Sequence, residues 1–280
     1  MRNLLAAERF RLRRSPLFWL LMTAALLLCL PGFAAERDQA LREAGASAGF
    51  WAMDEAFFQF AILNGVLLSG FLPLYLSTDY RDGTLRNKLI AGHSRSAVYL
   101  SALFTAFLVS FCLTLGCVAL NLLLGRLSGG LVGMGDGPFA LYLLASLCCG
   151  LAFASVYTML CLLVPNQAFA VAACLALFFI LAPVAGGLNH ALRQEAMIRE
   201  FLNLVDGRPV YSDPIPNPQY ISGLKRTVFV FLLDLTPFGQ GALLSNVEAE
   251  RVSRFPALSL LFSALCTGCG LLAFSRKNIK

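Results

Sequence analysis

Residues 97–125 read AVYLSALFTAFLVSFCLTLGCVALNLLLG, 29 residues without one Asp, Glu, Lys or Arg. The hydrocarbon core of a bilayer, about 30 Å thick, is crossed by about 20 helical residues, so a run of this length predicts a membrane span. In lipid only an internally hydrogen-bonded backbone is tolerated, which makes that span a helix. Working outward, five more charge-free stretches qualify, at 17–35, 56–77, 138–164, 168–188 and 256–275. The expected fold class is therefore all-α: one polytopic membrane domain over residues 1–280 with six transmembrane helices.

Composition agrees. Apolar residues make up 58% of the chain and charged residues 14%, against about 25% charged in a soluble protein. The charges gather in short segments between the apolar runs. The net charge of +6 lies beside spans, where basic residues set topology. No basic groove is interleaved with stacking aromatics, so nucleic acid is not an expected partner. The nine cysteines all fall inside apolar runs and read as small packing residues, without the ligand set of a metal site. The apolar run that begins at Leu17 lacks a clear small-residue cleavage site and reads as a retained span, not a leader.

Lys and Arg in the short loops give the orientation. Arg2, Arg9, Arg11, Arg13 and Arg14 precede the first span, Arg81, Arg86, Lys88 and Arg95 follow the second, and Arg276, Lys277 and Lys280 close the chain. The short loops of the opposite side have only Arg37, Arg42 and Arg126. Both termini are expected in the cytoplasm and residues 189–255 outside, since segments longer than about 60 residues cross regardless of charge. In that external segment, 195–205 is expected to form an amphipathic helix, with Met197, Ile198, Phe201, Leu204 and Val205 sharing a face. Residues 227–244 are interrupted by Asp234, Pro237, Gly239, Gln240 and Gly241. They are expected to be two short helices at the outer membrane surface, the second capped by Thr236 with Pro237 in its first turn.

The chemistry inside the spans is sparse. There is no Gly-rich loop ending in Gly-Lys-Ser/Thr to cradle a nucleotide, so any ATP-driven activity needs a second chain. No ionisable residue lies within the six runs, which weighs against an ion-coupled secondary transporter. Gln59, Asn64 and Asn121 are the strongest polar candidates, as helix–helix hydrogen-bonding residues or as polar points along a pathway. His93 and His190 fall on opposite sides, and no span pairs a serine with a histidine. The chain is not expected to be an enzyme by itself.

The most informative loop is 78–96, TDYRDGTLRNKLIAGHSRS. Thr84 is placed to cap a short helix, Leu85 and Leu89 stand at i and i+4, and Gly92 terminates it. Two readings stand: a basic loop that fixes topology and meets anionic lipid, or a rigid helix whose apolar knuckle enters a partner's groove. The run Asp79-Tyr80-Arg81-Asp82-Gly83-Thr84-Leu85-Arg86-Asn87-Lys88-Leu89, continued by Ile90-Ala91-Gly92, resembles the signature of type-2 ABC permeases, in particular small bacterial six-span subunits encoded beside a separate ATP-binding protein. The start LLAAERFRLRRSPLFW (4–19), the stretch NPQYISGLKRTVFVFLLDLTPFGQG (217–241) and the close LLAFSRKNIK (271–280) are similar to the same family. One departure is Asp79, where the family leads one to expect Glu; the charge is kept.

The resemblance implies a permease subunit of a bacterial ABC exporter in the cell membrane, moving an amphipathic lipid, drug or peptide. It implies an ATP-binding-cassette partner, which binds the ATP and magnesium, and a second permease copy or paralogue. The chain itself needs no cofactor. Residues 79–89 become the ATPase-coupling helix and 1–16 a cytoplasmic lead-in helix. Glu8 falls inside the apolar stripe of Met1, Leu4, Leu5 and Leu12, and either pairs with a basic neighbour or faces the ATPase. A non-transporting scaffold or sensor that uses the external segment is the alternative. Single cysteines in a cysteine-free background test the topology. An impermeant thiol reagent added to intact cells should label positions within 36–54 and 189–255 and spare 78–96.

Overall fold

The computed structural model describes residues 2–44, 51–198, 201–205, 208–211, 213–247 and 251–277. The lead-in helix α1 (Arg2–Arg14) is followed by α2 (Pro16–Ala44), a two-residue strand β1 (Trp51–Ala52), α3 (Asp54–Phe58) and α4 (Phe60–Leu76). Two short helices, α5 (Thr78–Arg81) and α6 (Thr84–Ile90), lead into α7 (Arg95–Ser128) and β2 (Gly130–Leu131). The hairpin of α8 (Asp136–Leu163) and α9 (Gln167–Leu192) comes next. Strands β3 (Met197–Ile198), β4 (Phe201–Val205), β5 (Arg208–Tyr211) and β6 (Ile215–Pro216) precede α10 (Gly223–Leu235), α11 (Pro237–Ser245) and α12 (Phe255–Arg276).

Among the described residues, six single helices are long and apolar enough to cross a membrane, and they coincide with the six charge-free runs. The ends follow local chemistry. The Ser94 hydroxyl accepts from the Ala97 N–H to open α7, and Gly129 closes it in the left-handed conformation. The Asn166 side chain accepts from the Ala168 and Phe169 N–H groups to open α9, with three residues between it and the end of α8. At about 1.5 Å per residue, α7 and α2 are longer than a hydrocarbon core. Both therefore project beyond it, and α2 continues through the charged residues 36–42.

Helix α4 is the centre of the bundle, packed against α8, α9, α7, α11 and α2. The apolar window of its span is 67% buried, whereas those of α9 and α12 are 22% buried, so the latter two present most of their surface to lipid. The interior is built on close approach. A Cβ on Gly150 of α8 would collide with Ser110 Oγ of α7 and stand 3.1 Å from Asn64 Nδ2 of α4, so three helices meet where only glycine fits. Asn64 Nδ2 donates to Ser110 Oγ (2.8 Å) and Thr114 Oγ1 (3.3 Å), and Asn121 Nδ2 to the Phe57 carbonyl (3.3 Å).

The segment before the last span departs from expectation twice. Within the expected amphipathic helix, 197–198 and 201–205 form strands instead, and 199–200 lie outside the described residues: β4 pairs antiparallel with β5, and β3 with β6. The apolar positions that suggested one helical face fall in two separate strand pairs, Met197 and Ile198 in β3 and Phe201, Leu204 and Val205 in β4, which a 3.6-residue count does not distinguish. Second, α10 and α11 are bent by 87° at Thr236, and only α10 keeps an open apolar face, with Leu224, Phe231 and Leu232 exposed. Helix α11 is buried from Pro237 to Gly241 and again from Leu243 to Ser245, inserted among α4, α8 and α9. Thr236 does cap it, accepting from the Gly239 N–H, with Pro237 in the first turn. Gly239 is demanded by the bend, since a Cβ there would run into the Leu233 backbone.

Replacing Gly150 with Val should therefore destabilise the bundle by about 1–3 kcal/mol through overpacking. Gly70→Ala, whose added Cβ meets nothing within 4 Å, should leave the thermal midpoint of the detergent-solubilised protein unchanged.

Candidate functional site

The loop 78–96 folds as a compact knot beneath the bundle. Gly83 takes φ +67° between α5 and α6, a conformation glycine adopts without strain. Gly83, not Thr84, occupies the cap position. The Thr84 hydroxyl instead donates to Asp79 Oδ1 at 2.7 Å. Gly92, at φ +88°, ends the turn after α6 as the sequence indicates.

Asp79 is buried at the centre of a ring of four charges. Lys88 Nζ donates to Asp79 Oδ2 at 2.7 Å and to Glu8 Oε1 at 2.5 Å. Arg11 Nη1 donates to Asp79 Oδ1 and lies 3.7 Å from Glu8 Oε2. The second Arg11 nitrogen reaches the Tyr75 carbonyl (3.0 Å) and Thr78 Oγ1 (3.2 Å), and the guanidinium stands over the Tyr75 ring. Burial opposes the Arg11 charge, but Asp79, with Tyr75 and Glu8, outweighs it and holds the group above its ordinary pKa. Glu8, only 5% exposed, thus pairs with Lys88, which places it against the loop and not on a free surface.

Leu85 is the clearest correction. It is 1% exposed and belongs to the protein's own core, and Leu89 packs partly against the same core. The i, i+4 pair anchors α6 upward and is not an open knuckle. What the loop presents outward is Arg81, Asp82, Arg86, Asn87 and Ile90, the last 72% exposed. Tyr80 faces inward: its hydroxyl donates to the Leu162 carbonyl at the end of α8.

Two cations complete the clasp. Lys277 Nζ donates to Tyr80 Oη (2.8 Å) and to the Leu162 and Leu163 carbonyls (3.0 and 3.1 Å), although burial lowers its pKa. These are the unpaired carbonyls at the end of a helix, where a cation is favoured. Arg95 Nη1 does the same for α12 through the Phe274, Ser275 and Lys277 carbonyls. Sequence reasoning treated Arg11, Arg95 and Lys277 only as topology markers. The signal it held was Glu8 within an apolar stripe, a buried carboxylate in need of a cation.

The polar interior candidates are elsewhere. Asn64 and Asn121 are in the bundle core, whereas Gln59 sits between α3 and α4, outside the spanning helix, beside Glu36 (3.4 Å). The structure does not bring the three together.

A family model described as ABC-2 family transporter protein matches residues 4–183, a stretch that contains all four charges of the ring. The chain belongs to the ABC-2 transporter family. It is a multi-pass membrane protein and an ABC transporter permease, the membrane subunit of a system in which an ATP-binding-cassette subunit is the usual partner. A comparison with curated proteins found no match.

Removing Lys88 from this ABC-2 permease leaves two buried carboxylates sharing one cation, which should cost about 3–5 kcal/mol. In Lys88→Met, hydrogen exchange of 2–14 and 84–90 should rise and the thermal midpoint fall. Adding Glu8→Gln should recover part of the loss, with a coupling of at least about 1 kcal/mol in a double-mutant cycle.

Proposed function

We propose that this permease is half of the membrane pathway of an ABC exporter, and that the tip of α5–α6 is where the ATPase pushes. The observation that carries the proposal is the clasped loop. A connector that transmits movement must be stiff and anchored to the elements it moves. The α5–α6 loop is tied to α1 by Lys88, to α8 by Tyr80 and, through Lys277, to the end of α12, while Arg11 of α1 holds both Asp79 and the Tyr75 carbonyl of α4. Its outward face, Arg81, Arg86 and Ile90, offers one apolar residue ringed by polar ones, the pattern of an interaction hot spot.

In this reading both termini and the loop are cytoplasmic, in keeping with the basic residues gathered there. ATP and magnesium belong to the partner subunit, and two permeases, identical or paralogous, enclose the pathway. ATP binding draws the two ATPases together, and α5–α6 carries that displacement into α4 and α7. An interior without charged groups suits an amphipathic lipid, drug or peptide better than an ion. Membrane lipid surrounds the exposed apolar faces of α9 and α12.

Ile90→Asp tests the contact without touching the core. It should weaken co-purification with the ATP-binding subunit by about 2–4 kcal/mol, the scale of a central hot spot, and abolish stimulated hydrolysis, while insertion and melting of the permease stay normal. Normal coupling in this variant would reduce the loop to a topology marker.

A further inference from the structure

At the opposite end of the bundle, α9, α10, α11 and the start of α12 enclose a cavity of about 400 Å³. All its lining residues, from Asn189 to Phe255, lie beyond the segment 4–183 that the family model matches. Its wall carries three cations, Arg193, Arg226 and Arg251, and two carboxylates, Glu195 and Asp234, over a floor that includes Val230, Leu233 and Phe255. Such a mixture of apolar lining and a few convergent polar groups is that of a ligand pocket, and the volume falls in the usual range.

Asp234 decides what the pocket takes. Its residue is 7% exposed, and its nearest ionic neighbour among the described residues, Arg251 Nε, stands at 3.9 Å, beyond hydrogen-bond reach, with Arg254 acting on it from farther off. A carboxylate withdrawn from water with so loose a partner favours a second, closer cation. Arg226 supplies the opposite half. One of its five N–H donors is used on the Leu192 carbonyl (3.1 Å), which leaves donors suited to a phosphate or carboxylate. A simple anion entering here meets Asp234 and Glu195, and a simple cation meets three arginines; a molecule carrying both charges satisfies the two sets together.

We propose that this cavity binds the head group of a zwitterionic amphipath, its ammonium at Asp234 and its anionic group at Arg226. The volume accommodates a head group, and the apolar chains leave over the exposed face of α10, where Val228, Phe231 and Leu232 lie open. This deepens the export reading by assigning a ligand class to the far end. Binding is nevertheless read on the permease alone, so a failure of ATPase coupling leaves its outcome unaffected.

Calorimetric titration of the maltoside-solubilised chain with dihexanoyl phosphatidylethanolamine, dihexanoyl phosphatidylglycerol and free phosphoethanolamine tests the assignment. The ethanolamine lipid should bind at least about tenfold more tightly than the glycerol lipid, the scale of one charge-assisted hydrogen bond. Asp234→Asn should erase that preference, and Arg226→Gln should weaken both lipids. Val230→Trp, which fills the cavity and leaves every charge in place, should abolish binding in a protein that melts normally. Equal binding of the two lipids by the unaltered chain would overturn the proposal. So would undiminished binding by Asp234→Asn or Val230→Trp, or free phosphoethanolamine binding as tightly as its lipid.

Discussion

Lys88 stands between two carboxylates that the fold has taken out of water, and Arg11 closes the ring from the other side. The four charges cancel, so the cluster is tolerable only when complete; any three leave an uncompensated charge in a poorly solvated place. That condition fixes more than a local contact. Glu8 and Arg11 come from α1, Asp79 from α5 and Lys88 from α6, so the ring sets where the lead-in helix lies relative to the loop. Replacing the ring with apolar residues of similar volume would cost little stability in principle. What the charges add is geometry: directional bonds of 2.5–2.7 Å hold α6 in one register against α1.

Within the bundle a different constraint governs. Lipid tails are as apolar as leucine, so the spans gain nothing by hiding apolar surface from them and associate through packing and hydrogen bonds. Gly150, Ser110, Asn64 and Thr114 occupy the α4–α7–α8 junction for that reason. Large side chains such as Leu27, Phe179 and Leu272 are exposed at the periphery, where lipid accepts them at no cost. Large apolar side chains thus occur both outside and inside, where Phe153, Tyr157 and Phe274 are buried, and it is the small and polar residues at close contacts that mark the interior.

The six spans were legible because a charge-free run of this length has one physical solution in a bilayer. So was the start of α11, since Thr236-Pro237 is chemistry that acts within four residues. Three things were not. Met197, Ile198, Phe201, Leu204 and Val205 satisfy a helical count, and that count masked the Asp206-Gly207 dipeptide between β4 and β5, which favours a two-residue hairpin turn. Leu85 and Leu89 share a face, yet periodicity does not say whether that face meets a partner or the chain's own core. The burial of α11 was hidden too, because Asp234 and Gln240 read as side chains that face water. Gln240 Nε2 in fact donates to the Asp234 carbonyl (2.6 Å), and its carbonyl accepts from Ser259 of α12 (2.5 Å), so the buried polar group is satisfied by a neighbour no local window contains.

The two ends of the molecule are built to different stiffness. At the basic end the terminal carbonyls of α8 and α12 are taken up by Lys277 and Arg95, and the α4 carbonyl of Tyr75 by Arg11. Helices held by charged side chains at their last turn cannot slide independently there. At the far end α10 and α11 meet at 87°, and a cavity lies between α10 and the ends of α9 and α12, which α10 touches only in part. Void space and a bend are where packed helices can rearrange without breaking a ladder of hydrogen bonds. In the export reading the force enters where the helices are tied together, and the bundle yields where they are not. The asymmetry runs along α4, which meets the charge ring through the Tyr75 carbonyl at its end and packs against α11 in the bundle.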